Sequence, residues 1–171
     1  MATVVHMTTL RRTPIGPIVL AATGSGLVRV HFGDDDGPVR EGLERWLLQV
    51  DLRRGSPFTT EAGRVLAAYL QGGPDPVALP HVLPEGGFGP RVWSHLKRIP
   101  RGQVRTYGAV AKALRRHGAA RAVGQACGRN PLPLVVPCHR VVSAERRLGG
   151  FTGDLDIKRR LLAMEGAAVT G

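Results

Sequence analysis

Cysteine and lysine are scarce in this chain, and acid is scarce over its second half. Two cysteines in 171 residues exclude a disulfide framework and an all-cysteine zinc site. No apolar run approaches the roughly 18 residues a membrane span needs, so no membrane partner is expected. The N-terminus, Met1-Ala2-Thr3-Val4-Val5-His6, lacks the basic flank and apolar stretch of a secretory signal. A reducing, cytoplasmic setting follows most simply. The hydrophobic share, 43%, is too high for a disordered basic tail. The length suits one domain or two small ones.

The formal charge of +11 is unevenly placed. Residues 1–85 carry 8 basic and 9 acidic side chains, and residues 86–171 carry 16 and 4. Only Lys97, Lys112 and Lys158 of the 24 basic residues are lysines. An arginine-rich, strongly positive half suits a polyanion, most naturally nucleic acid. A solubility charge or an arginine-rich coding bias would give the same composition.

Residues 4–10, 17–22 and 27–32 are short β-compatible runs separated by glycine-containing turns. Helices are predicted over residues 39–48, with Leu43, Trp46 and Leu47 at helical spacing, and over 60–70, with Thr60 as N-cap. Ten of the nineteen residues 72–90 are Gly or Pro, which reads as a linker. The expected division is 1–72 as an α+β support domain, 73–89 as linker and 90–171 as the domain carrying the chemistry. In the second half, helices are predicted around Val92–Ile99, over 107–116, over 119–129 and from an N-cap at Asp154 to a stop at Gly166.

The middle two of those helices, joined by a short turn at His117-Gly118, suggest a helix-turn-helix. Ala120, Val123 and Cys127 fall on one side of the later helix. Arg121, Gly124, Gln125 and Gly128 fall on the other. That nearly bare face suits close backbone approach to a narrow groove with Arg121 as a single probe. Glycines that permit tight helix packing in a core would give the same pattern.

The densest chemical signal is the proline-stiffened loop from Asn130-Pro131 to Pro137-Cys138-His139-Arg140-Val141-Val142. Burial raises a thiol pKa, whereas an adjacent histidine, arginine or helix N-terminus lowers it. Neighbouring side chains on extended backbone point apart, so Cys138 and His139 need a bridging water or a local kink to communicate. Cys127 reads as packing.

Pro137-Cys138-His139-Arg140-Val141-Val142 resembles the active-site motif of the O6-alkylguanine-DNA alkyltransferases. Ala120-Arg121-Ala122-Val123-Gly124 is similar to that family's recognition helix and arginine finger, and Asn130-Pro131 to its asparagine hinge. Arg105-Thr106-Tyr107 resembles the helix start bearing its DNA-contacting tyrosine. Gly150-Phe151-Thr152-Gly153 resembles its guanine-pocket loop, and Leu161-Leu162-Ala163-Met164-Glu165-Gly166 its last helix. The resemblance is strong over about residues 87–166 and weak in the first half.

The resemblance implies a ribonuclease-H-like α/β domain followed by a helical domain with a helix-turn-helix, an α+β protein overall. It implies a single-turnover repair protein that flips O6-alkylguanine out of duplex DNA from the minor groove and keeps the alkyl group on Cys138. His139 would act as a water-mediated base oriented by Glu165, which meets the geometric need noted above. Tyr107 would donate to N3 of the leaving guanine and help rotate the base. Arg121 would fill the vacated stack, and Asn130 would tie the recognition helix to the active-site loop. Thr106, Gly124, Gln125 and Gly128 would face DNA. Pro133, Val141, Phe151, Thr152 and Gly153 would form the base pocket. No cofactor and no metal are implied, because the N-terminal zinc ligands of some relatives have no counterpart here. A monomer is expected, with cooperative binding along DNA left open.

Three other functions fit parts of the sequence. A lesion binder without transfer activity would lack Cys138. A helix-turn-helix transcription factor would carry several base-reading side chains. A cysteine hydrolase would turn over repeatedly and have no need of the basic half.

Overall fold

The computed structural model describes residues 1–47 and 49–170. The chain forms two compact units, meeting at Pro84 and Glu85.

The first unit is a four-stranded sheet in the order β3-β2-β1-β4. Strands β1 (Thr3–Leu10), β2 (Ile18–Thr23) and β3 (Gly26–Phe32) form an antiparallel meander. Strand β4 (Val50–Arg54) pairs parallel to β1, with Val5 opposite Leu52. The meander follows the sequence runs, whereas β4 was not visible in them. Three of its five residues, Asp51, Arg53 and Arg54, are polar, as suits an edge strand with exposed arginines.

Alternate residues of each strand face opposite sides. Val5, Val19 and Ala21 pack with Val39 and Leu43 of helix α1 (Gly37–Glu44). On the other side, a Cβ at Gly63 of helix α2 (Pro57–Leu70) would lie 2.9 Å from Leu10 Cδ2. Helix α1 is shorter than the predicted 39–48, and Leu48 lies outside the described residues. Helix α2 starts earlier than predicted. Ser56, not Thr60, is its N-cap, and Ser56 and Thr59 form a reciprocal capping box ahead of Pro57 at the first helical position.

The Gly/Pro stretch expected to link the domains divides between the units. Leu27 N donates to Pro80 O at 2.9 Å and Val82 N to Leu27 O at 2.8 Å. Gly26, at φ +135°, is required here, because a Cβ would sit 2.6 Å from the Pro80 backbone. Residues up to Pro84 thus belong to the first unit.

The second unit holds helices α3 (Gly89–Leu96), α4 (Tyr107–Ala113), α5 (Ala120–Gly128) and α6 (Leu155–Met164). Strands β5 (Arg105–Thr106) and β6 (Val141–Val142) form a short parallel pair that the sequence runs did not reveal. Helices α4 and α5 pack on one another across the turn at residues 114–119. Val92, Trp93, Leu96, Val110, Val123 and Cys127 are buried. The Trp93 indole N–H donates to Ala126 O at 2.9 Å, which locks α3 to α5. Thr106 caps α4, accepting from Ala109 N, and Asp154 caps α6, accepting from Asp156 N. Among the described residues, no helix is long and apolar enough to cross a membrane.

Candidate active site

Every residue from Asn130 to Val142 is buried. A buried loop must satisfy its own backbone groups, and Asn130 does much of this. Its Nδ2 donates to Val136 O at 2.8 Å and its Oδ1 accepts from Leu132 N at 3.0 Å. Pro133 and Val136 bridge across the tight bend between them. Leu134 sits there at φ 76°, a conformation that costs on the order of 1–3 kcal/mol and that its surroundings impose.

Cys138 opens a single 3₁₀ turn, Cys138–Arg140, after Pro137. The backbone is therefore not extended. Consecutive side chains of a 3₁₀ turn are about a third of a circle apart, so Cys138 and His139 meet different neighbours. Cys138 is 2% exposed. Burial pushes its pKa up, while Asn130, the Lys158 ammonium and Thr152 pull it down, with burial prevailing. The resting group is a thiol, which needs a base at the moment of attack.

His139 Nε2 and Glu165 Oε1 are 3.0 Å apart in a fully buried contact. A carboxylate only accepts, so Nε2 carries the hydrogen, and in a neutral ring Nδ1 is the basic atom. Glu165 also receives Arg140, with Nη2 to Oε1 at 2.7 Å and Nε to Oε2 at 3.0 Å. The remaining Arg140 Nη1 donates to Ile99 O at 2.8 Å. One glutamate thus orients the histidine and neutralises a buried guanidinium.

Lys158 was not singled out from the sequence. It is fully buried, and its Nζ donates to Val141 O at 2.6 Å and to Gly150 O at 3.0 Å. Burial pulls its pKa down to about 8, against the raising effects of Cys138 and Cys127. Tyr107 donates from its hydroxyl to Gly150 O at 3.1 Å, with its ring 5.9 Å from Lys158 Nζ. Burial, then Cys127 and Cys138, push the Tyr107 pKa up to about 12, so the phenol keeps its proton. Thr152 Oγ1 donates to Cys127 O at 2.9 Å, tying the 150–153 loop to α5. Gly149 must be glycine. It sits at φ +66°, and a Cβ there would press on the Tyr107 ring at 3.0 Å.

The outward face of α5 is bare as predicted. Arg121, Gln125 and Gly128 are exposed and Gly124 is half-buried. Added Cβ atoms would meet the Tyr107 ring at an ordinary 3.8 Å from Gly124 and nothing within 4 Å from Gly128. Packing demands neither glycine, which removes the core-packing explanation for this face. A cleft of about 600 Å³ runs along it, lined by Tyr107, Arg121, Gly124, Gln125, Gly128 and Phe151 among others.

The structure thus gathers Cys138, His139, Glu165, Asn130, Tyr107, Val141 and Thr152 around the buried loop. Arg121, Gln125 and Gly128 lie on the exposed helix face, and Gly153 precedes the α6 cap. Lys158, and Arg140 as a second partner of Glu165, are what sequence reasoning missed. Their signal is the spacing Lys158, Leu161, Leu162, Glu165, which puts two charges on the apolar face of α6.

Comparison with known proteins agrees with both units. The family model for the 6-O-methylguanine DNA methyltransferase ribonuclease-like domain matches residues 6–81, and that for the same family's DNA-binding domain matches residues 87–167. The methylated-DNA–protein-cysteine methyltransferase of Methanosarcina acetivorans is 41% identical over 156 residues, 91% of this chain and 95% of the relative. The crystal structure of Mycobacterium tuberculosis O6-methylguanine methyltransferase superposes with a TM-score of 0.77 at 37% identity, covering 95% of this chain and 93% of that one. The Mycobacterium tuberculosis OGT structure in complex with DNA gives 0.76 at 34% identity, covering 95% and 92%. This chain belongs to the 6-O-methylguanine DNA methyltransferase family.

Proposed function

We propose that this protein repairs DNA by accepting the alkyl group of O6-alkylguanine on Cys138, once per chain. The observation that carries the reading is the buried Cys138 thiol, followed in the chain by His139, which pairs with Glu165 at 3.0 Å, in a DNA-binding unit of basic surface.

The thiol of a residue 2% exposed cannot reach a base inside the helical stack, so the guanine must be flipped out, at a few kcal/mol. The bare α5 face with Arg121 near its start suits the minor groove, where a wedge replaces the extruded base. Arg121 is exposed, free to enter the stack. Flanking Thr106, Gly124, Gln125 and Gly128 allow close backbone approach with little sequence readout. Lesions arise in any sequence, so weak readout is an asset.

In the pocket, Phe151, Thr152, Gly153, Pro133 and Val141 surround the flipped base, with Asn130 holding the loop. His139 takes the thiol proton through a water. Cys138 sulfur then attacks the alkyl carbon, the C–O6 bond breaks, and its electron pair leaves with the guanine. Tyr107 hydrogen-bonds to guanine N3 and stabilises the developing charge, and the proton held by His139 passes to the released guanine. The product is a thioether with no route back, so the protein acts once. It acts as a monomer in the cytoplasm, and the first unit serves as support.

The test is stoichiometric. A molar excess of duplex DNA containing O6-methylguanine should yield at most one methyl group per chain however long the incubation. Continued conversion beyond one equivalent contradicts single use.

A further inference from the structure

Helix α3 and the turn that follows it carry a polar stripe that the alkyl-transfer chemistry does not use. Arg91, Ser94, His95 and Arg98 follow the i, i+3, i+4, i+7 pattern, opposite the buried Val92, Trp93 and Leu96. With Ala113 and Leu114 at the end of α4 they line a groove of about 410 Å³. None of its lining residues lines the cleft along α5. No acidic residue lines it, and none occurs between Gly86 and Ala144 in the sequence.

We infer that this groove is a second phosphodiester-binding site, in which Arg91, Ser94 and Arg98 hold backbone phosphates of DNA away from the α5 face. The inference rests on the DNA-binding reading above. Arg91 and Arg98 are exposed and both line the groove. Arg91 Nη2 is positioned by Leu114 O at 3.4 Å, leaving further guanidinium donors to aim at an anion. Ser94 supplies a hydroxyl donor between them. His95 lies in the same positive field: burial, then Arg98 and Arg105, hold its pKa below the usual histidine range. Arg116, whose guanidinium carbon lies 5.7 Å from the Phe88 ring centroid, extends the basic edge toward the helix-turn-helix turn. A site of this kind adds affinity without sequence preference, since phosphate contacts position and base contacts specify.

The experiment measures binding of the full chain to a lesion-free duplex across a series of salt concentrations. The double variant Arg91→Gln/Arg98→Gln should give a slope of log affinity against log salt shallower by about 2. A fourfold rise in salt then costs the variant about tenfold less affinity than it costs the unaltered chain. Arg91→Lys/Arg98→Lys should keep the original slope. Ser94→Glu leaves the Arg91–Leu114 contact in place and should weaken binding in the same direction. All variants should be benzylated on Cys138 at the unaltered rate by free O6-benzylguanine, which needs no phosphate contact. A difference at equimolar duplex assigns the groove to flanking phosphates of the bound duplex, and one seen only with duplex in excess assigns it to a second duplex. An unchanged slope in the Gln variant together with unchanged binding by Ser94→Glu overturns the proposal, while alkyl transfer to Cys138 in the same preparations leaves the repair reading standing. Absence of salt-dependent binding by the unaltered chain overturns the DNA-binding reading beneath it.

Discussion

Lys158 Nζ lies 2.6 Å from the carbonyl oxygen of Val141, the residue that begins the strand after the 3₁₀ turn of Cys138. The same ammonium reaches Gly150 O at 3.0 Å. One side chain of α6 therefore holds both the strand beyond the nucleophile and the loop that also receives Tyr107. Replacing it with methionine keeps the volume and removes the donor. Lys158→Met should lose about 1–3 kcal/mol of stability from the abandoned carbonyls. It should also slow benzyl transfer from free O6-benzylguanine by at least about tenfold, read in a single-turnover assay. Unfolding curves matching the unaltered chain would show that the two contacts are idle.

Lys158 also gives stability a pH signature. Its folded-state pKa of about 8 lies below the ordinary 10.5. Between those values the unfolded chain still holds a proton that the folded chain has released, so this group makes stability rise with pH from about 8. Cys127, at about 12 against an ordinary 9.0, and Cys138, shifted the same way, act oppositely above pH 9. Denaturant melts should show the Lys158 contribution between pH 8 and 9 in the unaltered chain and its loss in Lys158→Met. Identical pH profiles for the two proteins would contradict it.

The buried thiol sets the pH dependence of the reaction. With Cys138 held above the ordinary thiol range, the thiol stays protonated and the reaction depends on its base, so the rate with free O6-benzylguanine should be higher at pH 8 than at pH 6. Tyr107, at about 12, stays protonated throughout and introduces no alkaline fall. A flat profile from pH 6 would mean a preformed thiolate.

The shared carboxylate predicts non-additivity. Glu165→Gln leaves the Arg140 guanidinium buried without its anion, which costs about 3–5 kcal/mol. Arg140→Met alone leaves Glu165 with His139 only. The double variant removes both charges and should be destabilised by less than the sum of the two single changes, as measured by denaturant unfolding. Strict additivity would mean that the 2.7 Å contact contributes nothing.

Most of this site could be read in advance, and the exceptions share a cause. The Cys138–His139 motif, the Asp154 cap and the meander strands are encoded by local residue types, which neighbouring sequence determines. Strand β4 escaped because its polar residues mark an exposed edge rather than a core. Helix α2 begins after Ser56 rather than Thr60 because Ser56-Pro57 carries both start signals. Lys158 escaped because its partners are backbone carbonyls 17 and 8 residues away, and a carbonyl leaves no mark in the sequence. The turn at Cys138 escaped because the loop's shape is fixed by Asn130 reaching across it, not by the propensities of the loop itself.

Glycine on the α5 face separates stability from binding. Gly124→Ala places a methyl at an ordinary 3.8 Å from Tyr107 inside a helix, which should stabilise the fold by about 0.5–1 kcal/mol. The same methyl should weaken binding to lesion-containing duplex severalfold while leaving the reaction with free O6-benzylguanine intact. Unchanged duplex binding would mean that DNA does not approach this face.

Two buried thiols, Cys127 and Cys138, compete for the role of acceptor, and mapping the transferred methyl decides between them most directly. After incubation with duplex O6-methylguanine DNA, digestion and peptide mass measurement should place one methyl on the peptide containing Cys138 and none on that containing Cys127. The Cys138→Ser protein should carry none at all. Methyl on Cys127, or transfer persisting in Cys138→Ser, would contradict the account.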